Sequence, residues 1–517
     1  MALARAWSAA MIGVDGHAVE VEADLTTGLP GFQLIGRVDR SLQEARDRVR
    51  AAVLNSGEVW PSKKITVALS PATLPKSGSH FDLAIALSVL AANEAFPVEA
   101  LRGLLLLGEL ALDGRVRHVR GVLPAVLAAA RAGFPRVVVS TRDEREAALI
   151  PGIEVVAVRQ LRGLLGLLRG ELTEAEARGG EDAADDVPAE PLAEASAAPP
   201  DLADVVGQPS AVAALEIAAA GGHHMLMFGP PGAGKTMLAE RLPGLLPPLD
   251  REAALEVTAI HSLAGALPPG QPLVTAPPFR NPHHSSTLPS LIGGGAGLAR
   301  PGEASLAHRG VLFLDEAPEF HRIALEAFRQ PLESGSVRIS RSAGTVRYPA
   351  RFTLVLAANP CPCAGSSSGQ ARCTCSSLVR RRYLGKLSGP LLDRIDLRVH
   401  LLPPEGPALG GARGGTTTAE AAERVAAARA RSLERLRGTP WRTNAEVPGS
   451  QLRTRWRLPM DIVEPIERDF GRGGLTGRGV DRVLRVAWTV ADLHDVARPT
   501  RDMVEFALHL RHEAVAA

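Results

Sequence analysis

Gly229-Pro230-Pro231-Gly232-Ala233-Gly234-Lys235-Thr236 fits the phosphate-loop pattern G-x-x-x-x-G-K-[ST]. Glycines at these spacings let backbone N–H groups curl around phosphate oxygens at a helix N-terminus. Lys235 would then reach the β- and γ-phosphates of ATP, and Thr236 would hold Mg²⁺. The chain has 53 Arg and only 5 Lys, so a Lys at this position answers a need for a compact ammonium rather than a planar fork. The apolar run Val311-Leu-Phe-Leu314 ends in Asp315 and Glu316. Beside a phosphate loop, Asp315 would bind Mg²⁺ directly or through water, and Glu316 would polarise the attacking water as general base. An acidic strand end standing alone would more simply be a helix cap. Leu354 to Ala358 is a third buried strand, and Asn359 at its end would orient the water or sense the γ-phosphate. A plain turn before Pro360 is the alternative. Leu391-Leu-Asp393-Arg394-Ile-Asp396 offers an arginine that a neighbouring subunit's nucleotide needs for transition-state charge. Pairing of Arg394 with Asp393 or Asp396 inside the chain competes with that role.

Every cysteine of the protein falls in one cluster, Cys361-Pro-Cys363 and Cys373-Thr-Cys375. Four thiolates can close a tetrahedral Zn²⁺ shell with no open position, which makes the site structural. Free or redox-active thiols and disulfides are the competing readings. Ser336 to Arg347 reads as a hairpin, strands on either side of a small-residue turn, carrying Arg338, Arg341 and Arg347. These arginines could track DNA phosphates along a channel, or be ordinary surface charge. Arg380-Arg381-Arg382 and Lys386 form a second cationic cluster with the same two readings. Aromatic residues make up 4% of the chain, which favours backbone tracking over base stacking.

These groups need strands and helices to hold them. The chain has 517 residues, 45% hydrophobic and 22% charged, with a formal net charge of +2. That composition excludes collagen-like, coiled-coil and wholly disordered chains. Residues 171–204 hold 11 Asp/Glu against one Arg, a net of −10, so the remainder carries +2 − (−10) = +12. Strand alternation at 19–23 and 64–69, helical periods at 41–55 and 82–92, and Val137-Val-Val139 after a turn predict one α/β domain over 1–170. Residues 171–200, rich in Ala, Glu, Asp and Pro, predict a flexible linker. A second α/β domain is expected over 201–405. A mainly helical one is expected over 406–517, where Thr417 and Glu420 have capping-box spacing. No run of 18 apolar residues occurs, so no membrane partner is expected, and cytoplasm is the default location.

The order of phosphate loop, Asp315-Glu316, Asn359 and Arg394 resembles an AAA+ ATPase. Pro278-Phe-Arg280-Asn-Pro-His283-His284-Ser285, Gly293-Gly-Gly295, Pro301-Gly-Glu303-Ala-Ser-Leu-Ala-His308 and Ser388 to Asp396 together resemble the magnesium-chelatase-like AAA+ family. The likeness extends over nearly the whole chain. It implies an AAA+ P-loop ATPase core with a helical lid, using ATP and Mg²⁺ between the subunits of a homo-oligomeric, hexameric ring. It also implies a DNA motor driving branch migration of recombination intermediates in natural transformation. The alternative is a chelatase-type motor that remodels a protein partner for metal insertion. A third class is a module in which ATP binding switches assembly. By position Arg482 resembles the sensor-2 arginine of the lid, with Arg478 and Arg485 as rivals. The N-terminal α/β domain resembles the Lon protease fold in Gly108-Glu-Leu-Ala-Leu-Asp113-Gly114-Arg-Val116 and Pro75-Lys76-Ser77-Gly78. Peptide cleavage there needs a serine–lysine pair. The matching positions are His80 and Leu123, so this domain is expected to be inactive.

Overall fold

The computed structural model describes residues 2–179, 200–268, 271–295, 299–341, 344–363, 373, 375–402 and 415–512. The acidic tether expected at 171–200 lies outside the described residues from 180 to 199. Its first part is not tether-like. Residues Glu174–Arg178 form a short helix, because Thr173 and Glu176 cap each other reciprocally and Ala177 is buried.

The N-terminal part is a seven-stranded mixed sheet. Its strands are β1 (Ala2–Ile12), β2 (Asp15–Thr26), β3 (Gly31–Ile35), β4 (Lys64–Ser70), β5 (Leu104–Leu106), β8 (Arg136–Ser140) and β9 (Glu154–Val158). Two short strands, β6 (Glu109–Leu110) and β7 (Val116–Arg117), pair separately. The order in the large sheet is β3-β4-β2-β1-β5-β8-β9. β1 and β2 are a long antiparallel hairpin, and β2 alternates buried Val19, Val21, Ala23 and Leu25 with less buried neighbours. Helix Asp82–Ala92 is buried at every residue, as its apolar composition demands. The helical period at 41–55 is broken at Glu44 into Arg40–Gln43 and Ala45–Asn55.

The second part is a five-stranded parallel sheet. It consists of β10 (Met225–Phe228), β11 (Phe279–Arg280), β14 (Val311–Leu314), β17 (Thr353–Ala358) and β18 (Leu397–His400), in the order β11-β14-β17-β10-β18. Val311 to Leu314 and Leu354 to Ala358 are buried without alternation, because both faces of a parallel sheet are covered. Two hairpins stand off this sheet side by side: β12 (Gly293–Gly294) with β13 (Arg300–Pro301), and β15 (Ser336–Arg341) with β16 (Gly344–Pro349). Beyond residue 415 the described chain is helical: Thr418–Arg435, Gly449–Arg453, Met460–Gly471, Gly477–Leu493 and Arg501–His512. The Thr417–Glu420 capping box is present. These helices share one apolar core with Pro209–Gly221 and with one face of the parallel sheet.

The two sheets meet along helix Arg251–Ala264. Gly121 N donates to Ser262 Oγ at 3.0 Å, and Ser262 Oγ donates to buried Glu146 at 2.5 Å. The β1–β2 turn also touches the second hairpin. A Cβ on Gly13 (φ +68°) would come within 2.8 Å of the Arg347 carbonyl oxygen, so only glycine fits.

Candidate functional site

Three parallel strands end side by side and deliver the phosphate chemistry at their C-terminal edge. Phe228 pairs in register with Ala358, and Leu314 with Leu356, so the residues that follow converge. Gly229 to Gly234 turn from β10 into helix Lys235–Leu245, with Gly232 and Gly234 at φ +77° and +91° and open space where their side chains would be. Gly229 is tight instead, since a Cβ there would lie 2.5 Å from the Leu401 carbonyl oxygen.

Lys235 is buried and all three of its ammonium hydrogens are used. Nζ donates to Gly229 O at 2.8 Å, Pro230 O at 2.9 Å and Asn359 Oδ1 at 2.8 Å. Desolvation pulls its pKa below the ordinary lysine value, and the nearby carboxylates of Asp315 and Glu316 oppose that shift. Thr236 Oγ1 donates to Asp315 Oδ2 at 2.8 Å, so the two oxygens expected to hold Mg²⁺ are already adjacent. They are hard oxygen donors and fit that ion. Glu316 sits in the left-handed region (φ +48°, ψ +44°), uncommon for a residue with a side chain, and its N–H donates to Asp315 Oδ1 at 2.9 Å. Its carboxylate faces His284, Nδ1 to Oε2 3.6 Å. Sequence reasoning missed that contact, although His284 lies in the 278–285 motif. A cavity of about 740 Å³ bounded by Val205, Val206, Gly207, Pro209 and Ile217 was also missed. Gln208 ties it to the edge through Nε2 to Leu402 O, 2.6 Å.

Arg394 and Arg482 are elsewhere. They line a cavity of about 1080 Å³ with His224 and Gly310, which precede β10 and β14, and Thr353, which begins β17. These strands are four to six residues long, so that edge lies roughly 13–20 Å from the phosphate loop. Neither arginine reaches the phosphate loop of its own chain. Arg394 is buried, and it pairs with neither Asp393 nor Asp396. Its Nη1 donates to Pro390 O at 2.5 Å and its Nη2 contacts Glu333 Oε1. Arg482 takes Asp396 instead, Nη1 to Oδ1 2.6 Å, and Nε donates to Asp393 O at 2.7 Å. Burial opposes ionisation of Asp396, but Arg482, His223 and His224 hold its pKa well below the ordinary range. Of the rivals, Arg485 donates to Val447 O at 2.7 Å, and Arg478 lies 3.8 Å from Asp393.

The hairpin prediction matches the observed β15–β16. Val337, Ile339, Val346 and Tyr348 face inward, while Arg338, Arg341 and Arg347 are exposed, with Arg338 directly opposite Arg347. The adjoining β12–β13 hairpin adds exposed Arg300, a cation that sequence reasoning did not single out. Arg380, Arg381 and Arg382 are exposed on helix Ser377–Leu384, and Lys386 lies 3.7 Å from Glu319.

The four cysteine sulfurs lie within 4.8 Å of one another. Cys361 Sγ is 3.2 Å from Cys363 and 3.3 Å from Cys373, and none of the four is in a disulfide. A tetrahedral zinc thiolate with bonds of about 2.3 Å has sulfurs about 3.8 Å apart, so this donor set fits Zn²⁺. In the N-terminal part, His80 Nε2, on the short turn Ser79–Phe81, lies 2.7 Å from Ala9 O, and Leu123, on helix Val122–Arg131, is buried.

Fold and site together define a P-loop domain of the AAA+-like type. The family model for magnesium chelatase, subunit ChlI, matches residues 201–407, and the model for subunit ChlI of Mg-chelatase matches 21–143. The ChlI C-terminal model matches 415–511. An uncharacterized protein of Mycobacterium tuberculosis is 55% identical over 511 residues, covering 99% of each chain. YifB of Escherichia coli is 40% identical over 512 residues (99% of this chain, 97% of YifB). Competence protein ComM of Haemophilus influenzae is 39% identical over 501 residues (95% and 94%). The chain therefore belongs to the magnesium-chelatase-like family of YifB and ComM. A shorter stretch of 172 residues is 27% identical to the Lon protease of Mycolicibacterium smegmatis, covering 32% of this chain and 22% of that protein. Among the described residues no helix is long and apolar enough to cross a membrane.

Proposed function

We propose that the chain is an ATPase that assembles head to tail into a hexameric ring and moves DNA, acting on recombination intermediates in natural transformation. One observation carries the reading. Lys235, Thr236, Asp315, Glu316 and Asn359 occupy one edge of the parallel sheet, and Arg394 and Arg482 line a cavity on the opposite edge. One subunit's phosphate edge then meets the next subunit's arginine edge, and neither half suffices alone. Gly232 to Lys235 cradle the triphosphate, with its base in the cavity beside Val205 to Pro209. Glu316 accepts the proton of the attacking water, and Asn359 faces the γ-phosphate. Thr236 and Asp315 would hold Mg²⁺, which when bound offsets charge on the β- and γ-oxygens. Arg394 and Arg482 of the adjoining subunit meet the charge that develops as the bond to the γ-phosphate breaks.

Arg338, Arg341 and Arg347, joined by Arg300, face DNA phosphates without reading sequence. Competence protein ComM, similar over nearly its whole length, supports this substrate. Residues 1–170 are a Lon-like domain without peptidase activity, since His80 and Leu123 stand at the serine and lysine positions. Residues 406–517 are the helical lid. The four cysteines hold structural Zn²⁺, bracing the chain between Asn359 and Arg394. The test is ATP hydrolysis by wild type and Glu316→Gln, with and without forked and four-way DNA. DNA-stimulated turnover that Glu316→Gln abolishes is expected. Turnover indifferent to DNA but raised by a protein partner would favour the chelatase-type motor.

A further inference from the structure

Arg394 is 4% exposed, and a guanidinium that deep needs a counter-charge. The two nearest carboxylates in sequence are already taken. Asp396 holds Arg482, and Asp393 faces Arg478 and Arg511. Arg394 Nε is buried with no hydrogen-bond partner among the described residues, and Nη1 is spent on the Pro390 carbonyl. Its one described carboxylate contact is Glu333, whose own side chain is 55% exposed and lines the same cavity. Glu333 lies in helix Arg329–Ser334, and Gly335 at φ +63° ends that helix directly before β15. That positive φ favours glycine, and a Cβ on Gly335 would also crowd the Arg351 side chain at 2.8 Å.

From this geometry we infer that Glu333 is the positioning residue of Arg394: it grips Nη2 and so aims the leftover N–H bonds of the two terminal nitrogens across the cavity at the neighbour's γ-phosphate. The inference rests on the proposed role of Arg394 and deepens it. Glu333 touches no nucleotide and acts through the arginine alone. Without its carboxylate the charged guanidinium is held, among the described residues, by the Pro390 carbonyl alone, and a misplacement of about 1 Å costs on the order of a hundredfold in rate.

The test uses the full chain with Glu333→Ala, the isosteric Glu333→Gln, Arg394→Ala and their doubles, each checked for assembly and ATP affinity. Glu333→Ala should lower kcat by about tenfold or more with KM unchanged. Glu333→Gln, which keeps an acceptor oxygen, should retain more turnover than the alanine variant. The double Glu333→Ala/Arg394→Ala should be no slower than Arg394→Ala alone. Mixing is the readout that a merely structural role would not move. Rings mixed from Lys235→Ala and Glu333→Ala chains should regain turnover that neither has alone, because an intact phosphate edge then meets an intact arginine edge. Recovery with Arg394→Ala but not with Glu333→Ala would overturn the positioning role and leave the shared site standing. Recovery with neither would overturn both. A Glu333→Ala chain that turns over at the wild-type rate or faster would also refute the inference.

Discussion

Replacing Asn359 by Ala should tighten ADP binding while slowing ATP turnover. The three hydrogens of the Lys235 ammonium each have a partner, two backbone carbonyls and Asn359 Oδ1 at 2.8 Å. A β-phosphate reaching Lys235 must displace one of them, and the amide is the partner on a separate strand end. Removing it destabilises the free state, which is left with an unpaired buried donor, but not the bound state, where phosphate takes its place. A hydrogen bond to a charged group is worth about 1.5–3 kcal/mol net. The lower end alone corresponds to roughly a tenfold fall in Kd. ADP is the right probe because it has no γ-phosphate for Asn359 to contact. Titration calorimetry of wild type and Asn359→Ala with ADP, at fixed Mg²⁺, reads the change directly. ATP turnover by the same variant should drop, because the group facing the γ-phosphate is gone. Unchanged or weaker ADP binding by a folded variant would refute the idea that Asn359 competes with phosphate for the lysine.

Arg341→Ala should weaken DNA binding, lower the slope of log K against log salt by about one, and leave ATP affinity unaltered; equal loss of both would count against the hairpin as a DNA contact. Purified protein should carry about one zinc per chain, and metal analysis giving less than about half an equivalent would argue against the cysteine site. Asp82 supplies a pH signature. It is buried beside Arg48 (2.8 Å), yet burial outweighs that partner and pushes its pKa up to about 6 from an ordinary 3.8. A raised carboxyl contributes stability that is complete below its unfolded value and is lost as pH rises through its folded value. The urea stability of wild type relative to Asp82→Asn should therefore fall by about 2 kcal/mol between pH 4 and pH 7; a pH-independent difference would show that Asp82 is ionised throughout.

The amino-acid sequence by itself determined the phosphate edge. A phosphate loop is a local object, in which glycine spacing, an apolar strand before it and a helix after it are all contiguous in the chain. The same holds for the buried helix at 82–92, the Thr417–Glu420 cap and the β15–β16 hairpin, where period and capping chemistry act within a dozen residues. Sequence spacing also made the four cysteines a candidate cluster, although only the fold brought their sulfurs within 4.8 Å. What the tertiary structure decided was direction and partnership. Sequence could nominate Arg394 and Arg482 but not place them at the strand starts, facing away from their own phosphate loop, because that depends on how the C-terminal helices pack along the sheet. It also pointed to Asp393 or Asp396 as partners of Arg394. The fold gave Asp396 to Arg482 and brought Glu333 in from 61 residues away. Pairing across such distances follows from which helix faces bury together, and no local pattern in the chain encodes it.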